Sequence, residues 1–402
     1  MNVVNDPGRL ASTPPAAASC GTTAGAAALD ALVAAIAARR EEFERLSHVP
    51  RDIVAMMKAA GIFRSSTPRC FGGDALPPAD FLRILERIAM ADGSAAWVAA
   101  FGSANTYLAA LPKETQREIY ASGPDQVSAG GLYPIQPARA APGGWSVTGR
   151  WHFASGCMGA EWIMVGIGIG EQVAAERGTA TGKPLTAVLP AHQVEIVENW
   201  DVVGLLGTGS HDLRLRDRFV PEGWTFVRGG PPVIDEPLYR YPAIAYQAQV
   251  HAVVNLGMAR MALDRVAEMS GGRKTNTGAP RLADRAYFRT GLGKAEAAWR
   301  AARAFFYETS ESVWDTILAG NPVTPEEANL LRLSATHAAH VSADAIQQAY
   351  RIAGISAIYR ANPLQRLARD SMVVTQHATL GEATYDGAGA IFAGAQPAFA
   401  YP

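Results

Sequence analysis

A block of about 95 residues with β-type patterning, Gln126 to Val220, lies between two stretches of helical patterning, and few folds have that order. Inside the block, short apolar runs are separated by Gly and Pro: Trp145-Ser146-Val147-Thr148, Trp162 to Ile169, Leu185 to Leu189, and Leu213 to Val220. No ten consecutive residues there keep a helical face, so strands are predicted. Before it, Leu29, Leu32, Val33 and Ile36, then Phe81, Leu82, Leu85 and Ile88, recur at three- and four-residue spacing. Asp80 stands just ahead of the second run as a candidate helix cap, and Phe71-Gly72-Gly73-Asp74 with Pro77-Pro78 marks a loop between the two. After the block, helical spacing returns over 244–270, 282–318, 325–353 and 363–392, broken at Gly271-Gly272, Gly320-Asn321-Pro322 and Asn362-Pro363. Four long segments with short links predict a four-helix bundle. The expected organisation is a flexible tail (1–27), an N-terminal helical domain (28–124), a central, barrel-like β-domain (125–232) and a C-terminal bundle (233–402).

Charge and cysteines exclude several function classes. The formal net charge is -1 and no Lys/Arg run stands out, which argues against a nucleic-acid footprint. No apolar run reaches the ~18 residues a membrane span needs. The Ala-, Ser- and Pro-rich opening lacks the pattern of a secretory signal. Cys20, Cys70 and Cys157 are far apart with no C-x-x-C pair, so neither a disulfide framework nor structural zinc is expected, and a cytoplasmic location is.

The string Gly149-Arg150-Trp151-His152-Phe153-Ala154-Ser155-Gly156-Cys157 follows a strand and ends in small residues. Read plainly it is a strand end turning at Gly156. Read for chemistry, Trp151 and Phe153 form a flat apolar wall beside the Ser155 hydroxyl, which suits a planar ring with one polar edge, such as a flavin.

Four segments in order extend that reading: Pro68-Arg69-Cys70-Phe71-Gly72-Gly73, Asp92-Gly93-Ser94-Ala95-Ala96-Trp97, Trp200 to Ser210 closing on Phe219-Val220-Pro221, and Leu364 to Asp370. Together they resemble the signatures of the acyl-CoA dehydrogenase fold across most of residues 30 to 395. Trp151-x-Phe153-Ala154-Ser155-Gly156-Cys157, Thr208-Gly209-Ser210, Gly272-Arg273-Lys274, and Arg369-Asp370 followed by Gln376-His377-Ala378 resemble the oxygenase component of two-component flavin monooxygenases. The resemblance implies FMNH2 or FADH2 delivered by a separate NAD(P)H-flavin reductase, O2 as co-substrate, a flavin C4a-hydroperoxide, and a homotetramer sharing its flavin sites. It further implies that Trp151, Phe153, Ala154 and Ser155 face the flavin and that Arg273 reaches its phosphate. Gly130 and Gly131 would belong to a loop along the ring, and Ile355 and Ser356 to a turn approaching a neighbouring chain's flavin.

The missing base separates oxygenase from dehydrogenase. α,β-Dehydrogenation needs a carboxylate to take the α-proton. The family's Glu after the Arg-Asp pair corresponds here to Ala378, and its alternative site falls in 237–263, which holds no acidic residue. His377, beside the vacancy, is the candidate base, expected on one helix face with Asp370, Val373 and Val374. An imidazole of ordinary pKa ~6.5 takes a phenol proton near neutral pH. Asn105 stands near the substrate where several aromatic hydroxylases of the group carry histidine, which argues against a simple phenol. The expected reaction is hydroxylation of an aromatic or polycyclic small molecule, with N- or S-oxygenation and a non-catalytic relative as alternatives. His337 and His340 lack the carboxylates of a bundle metal site, and Gly166-x-Gly168-x-Gly170 lacks the spacing and following helix of a dinucleotide fingerprint.

Overall fold

The computed structural model describes residues 23–170, 184–271 and 281–397. Its first part is helical: α1 (Thr23–Leu46), α2 (Arg51–Ala59), α3 (Pro78–Ala91), α4 (Gly93–Ala99), α5 (Asn105–Leu108) and α6 (Lys113–Ile119). The Ala-rich stretch before Ala28 extends α1 back to Thr23, since alanine has the best helix propensity. The helix cap differs from the sequence expectation. Helix α3 starts at Pro78, so Asp80 falls in its first turn and pairs with Arg83, while Asp92 caps α4 by accepting the Ala95 N–H at 2.9 Å.

The centre is one mixed sheet of seven strands: β1 (Ser128–Ala141), β2 (Gly144–Ala154), β3 (Trp162–Gly168), β4 (Leu185–Pro190), β5 (Glu195–Val197), β6 (His211–Pro221) and β7 (Thr225–Val227). Their order is β5-β6-β2-β1-β3-β4-β7, with only β1 and β3 parallel. Trp145, Val147, Trp151, Ile163, Val165, Ile167 and Leu213 fill the core this sheet encloses. Strand β1 takes in the segment Ser128 to Pro134 expected as a loop; its pairing with β3 outweighs the turn propensity of its glycines.

The C-terminal part runs α7 (Pro237–Arg240), α8 (Ala243–Ser270), α9 (Ala286–Leu318), α10 (Pro325–Ile352), α11 (Pro363–Thr375) and α12 (Ala383–Phe392). Helix α8 is apolar on nearly all sides and is buried by α3, α10 and α11, which makes it the axis of the structure. The segment expected as one helix over 363–392 is two. It breaks after Thr375, where β-branched Thr375 and Thr379 and then Gly381 interrupt a run of good helix formers. His377 therefore sits in a turn, not on a helix face with Asp370.

The Arg369–Asp370 pair ties bundle to sheet. Asp370 accepts the Leu205 N–H at 2.6 Å and Arg369 donates to the Val203 carbonyl at 2.5 Å, fixing the loop that leads to Thr208 and Ser210. Burial raises the Asp370 carboxyl to about 7.

Candidate active site

Three rings from three separate segments meet at one point. Trp97 comes from α4, His251 from the middle of α8, and His377 from the turn after α11. The ring centroids lie 4.2 Å apart for Trp97 and His251, 4.4 Å for His251 and His377, and 5.5 Å for Trp97 and His377. Phe101 adds an edge 6.4 Å from His251. Burial pushes the His377 imidazole down to about 4, with the nearby positive charge of Arg228 adding to the effect. Burial, and then His377 itself, push His251 well below the ordinary range. Two buried imidazoles 4.4 Å apart cannot both carry charge without strong repulsion, so both are neutral near pH 7. This corrects the expected role: an imidazole held near 4 is a weak base at neutral pH, suited to hydrogen bonding more than to stripping a phenol proton. The Thr379 N–H donates to Nδ1 of His377 at 3.4 Å, with the Thr379 hydroxyl 2.8 Å from the same nitrogen, so the neutral ring carries its proton on Nε2.

A line of hydroxyls starts at the same tryptophan. Trp97 Nε1 donates to Ser155 Oγ at 3.1 Å, Ser155 and Ser210 are 2.7 Å apart, Ser210 and Thr208 are 2.7 Å apart, and Thr208 donates to the Leu205 carbonyl at 2.8 Å. An indole N–H only donates and a carbonyl only accepts, so the direction of every bond between them is determined. Ser155 accepts from Trp97 and donates to Ser210. What remains on Ser155 Oγ is a lone pair, able to take a hydrogen bond from an external N–H.

Phe153 lies two residues away, and its backbone is unusual. Its φ is +62°, a left-handed conformation that costs an aromatic residue about 1–2 kcal/mol. The β2–β6 register slips between Trp151 and Ala154, a bulge that turns both His152 and Phe153 outward. The Phe153 ring is 70% exposed, edge-on to Trp200 at 6.3 Å. A strained backbone that presents a large flat ring to solvent beside a hydroxyl line with an open acceptor fits the ring system of a flavin.

The bulge also separates residues the sequence had grouped. Regular alternation would put Trp151 on the same face as Phe153, but Trp151 is fully buried and donates Nε1 to the Gly166 carbonyl at 2.8 Å. It packs the sheet core and forms no wall. Ala154 is equally buried. Gly130 and Gly131 belong to strand β1, and a Cβ there would lie 2.7 Å from the Met164 carbonyl or 2.9 Å from Trp151 Cβ, so close packing of the sheet accounts for both. Asn105 is 1% exposed, and its amide donates to the Phe63 carbonyl at 2.7 Å and to Thr67 at 2.9 Å. It ties down the 63–67 turn instead of facing the imidazoles. Ile355 is 74% exposed and Ser356 bonds the Ala353 carbonyl, so within this chain neither touches the site. Arg273 lies outside the described residues.

Sequence reasoning missed three members of the site. His251 is the one histidine in the acid-free stretch 237–263, where only the missing carboxylate drew notice. Trp97 closes a quoted motif, and Ser210 another, but nothing in their spacing shows that the two motifs meet. A cavity of about 330 Å³ beside Tyr107, Tyr241 and Ala243 includes none of Trp97, Ser155, His251 or His377. Among the described residues, no group of three His, Cys, Asp or Glu side chains could hold a metal. His340 bonds the Leu380 carbonyl at 2.9 Å.

Known proteins resemble this chain in sequence and in fold. Residues 25–123 match the family model "Acyl-CoA dehydrogenase, N-terminal domain", and 249–382 match "Acyl-CoA dehydrogenase, C-terminal domain". The chain is similar to an indole-3-acetate monooxygenase of Pseudomonas putida, at 51% identity over 90% of this chain and 91% of the relative. It is 30% identical to the oxygenase component of an FADH(2)-dependent resorcinol hydroxylase of Rhizobium sp., over 84% of this chain and 86% of that one. The crystal structure of 3-HSA hydroxylase from Rhodococcus sp. RHA1 superposes with a TM-score of 0.85 at 25% identity, covering 93% and 97% of the two chains.

Proposed function

Because the chain belongs to the flavin-dependent monooxygenases built on the acyl-CoA dehydrogenase fold, and so hydroxylates aromatic substrates with reduced flavin and O2, we propose that its substrate is an indole bearing a short acidic side chain, of the indole-3-acetate class. In the overall reaction one oxygen atom enters the arene and the other leaves as water, and the bound reduced flavin supplies the two electrons. The flavin ring would lie against Phe153 with its N–H edge on Ser155, whose remaining lone pair is the acceptor it needs. Trp97, His251 and His377 form the facing wall, where a flat heteroaromatic ring stacks well. Neutral His377, through its Nε2–H, would point a hydrogen-bond donor at the π face of the arene and hold it in place. The wall also keeps water away from the reacting atoms.

The observation that carries this reading is the junction at Trp97, which packs against both imidazoles with its ring and feeds the hydroxyl line with its N–H. An indole needs no proton removed before oxygenation, which agrees with a base held neutral and weak. Ile355, Ile358 and Tyr359 expose 74%, 56% and 64% of their surface on one turn. A second copy of the chain is our proposal for what covers them, in a homotetramer. A separate NAD(P)H-flavin reductase supplies the reduced FMN or FAD, and we assign the reaction to the cytoplasm, where reduced nicotinamide is at hand; among the described residues no helix is long and apolar enough to cross a membrane.

The test is turnover with a flavin reductase, NADH, FMN or FAD and indole-3-acetate under labelled O2. One labelled atom in the organic product is expected. Oxygen consumed entirely as hydrogen peroxide, with indole-3-acetate recovered intact, would overturn the assignment of substrate.

A further inference from the structure

Arg228, just past edge strand β7, has no counter-charge beside it among the described residues. Its guanidinium lies 5.1 Å above the ring of Tyr107, and its Nε is buried with no hydrogen-bond partner. It makes no ion pair among the described residues, in contrast to Arg150, Arg260, Arg303 and Arg369, each beside a carboxylate. A half-buried guanidinium loses hydration, and an anion on its donor fork is the usual compensation. Tyr107 is a fixed platform, since its hydroxyl donates to the Ala243 carbonyl at 3.0 Å, at the start of the helix that carries His251. The same charge depresses both His251 and His377, so it acts on the wall against which the arene would stack.

We propose that Arg228 binds the carboxylate of the substrate and thereby makes the enzyme selective for aromatic acids over neutral indoles. The proposal rests on the site reading above and adds its specificity residue. A carboxylate binds side-on to a guanidinium through Nε and one Nη. This chain already uses that geometry elsewhere, as where Arg303 holds Glu86 through Nε at 2.6 Å and Nη2 at 2.9 Å. The orphaned Nε of Arg228 is half of an identical fork.

The test compares indole-3-acetate with indole-3-acetamide, which has the same shape and no charge. Dissociation constants are measured by calorimetry on the flavin-reduced enzyme without oxygen, and KM from product formation with oxygen. A charge-assisted hydrogen bond makes about a 10- to 100-fold difference in affinity. The wild type should favour the acid by that factor, and Arg228→Gln should erase most of the preference while costing the amide far less. Arg228→Lys keeps the charge without the fork, should recover part of the selectivity, and shows by its melting curve that the chain still folds. Equal losses for acid and amide in R228Q, or no preference in the wild type, would overturn the role of Arg228. Absence of oxygenated product beside intact acid selectivity in binding would overturn the substrate reading alone and leave Arg228 as an anion anchor.

Discussion

Replacing His377 with Gln should remove a specific share of the protein's acid sensitivity. In the unfolded chain an imidazole titrates near ~6.5, whereas burial holds His377 at about 4 in the fold. The folded state therefore refuses a proton that the unfolded state accepts throughout the window between the two values. Stability is unaffected above pH 6.5, declines as pH falls through that window, and reaches its full loss near pH 4. Integrating the linkage relation from pH 7.5 to 5.0 gives a loss of about 2 kcal/mol from this one residue. H377Q cannot titrate and should lack that loss. It keeps His251, relieved of the second cause of its depression, so some acid sensitivity remains. Urea unfolding at pH 7.5 and 5.0, followed by tryptophan fluorescence, reads the difference: the wild type should lose about 2 kcal/mol more than H377Q over the interval. Equal losses in the two proteins would refute a neutral, buried His377. Turnover should agree, with kcat showing no inflection near pH 6.5.

Three further substitutions test the surroundings. Ser155→Ala strands the Trp97 N–H and removes the donor to Ser210, so a loss of about 1–3 kcal/mol in unfolding free energy is expected, together with more peroxide released per O2 consumed; unchanged coupling would contradict a flavin contact. Phe153→Ala should barely lower Tm, because the ring is exposed, yet weaken reduced-flavin binding about tenfold by equilibrium dialysis, roughly the loss of one stacking contact. Asn105→Ala leaves the Phe63 carbonyl and Thr67 without their donor, so Tm should fall with a cost of about 2 kcal/mol while KM stays within about twofold; a large KM effect with unchanged Tm would return Asn105 to the substrate pocket.

Residues that report on local periodicity or carry a motif were readable from the sequence. The helical–β–helical order needed nothing beyond neighbours in the chain, whereas the lost carboxylates at Ala378 and 237–263, and the choice of Ser155, Phe153 and His377 as candidates, needed the family resemblance as well. The alternation of β2 misgrouped Trp151 with Phe153, because a single bulge reverses the parity of a strand and leaves no mark in composition. Helical spacing likewise carried His377 onto a helix that two threonines and a glycine bring to an end.

Only the tertiary structure could bring Trp97, His251 and His377 to within 5.5 Å of one another, since 280 positions separate the first from the last. Their burial decided the protonation state of the imidazoles, which no local sequence sets. The direction of the hydroxyl line and the unpaired charge of Arg228 are likewise properties of what surrounds a residue. The chain determined which elements form and which chemical groups they carry. Packing decided which groups meet, because desolvation and hydrogen-bond direction exist only between residues that the fold has made neighbours.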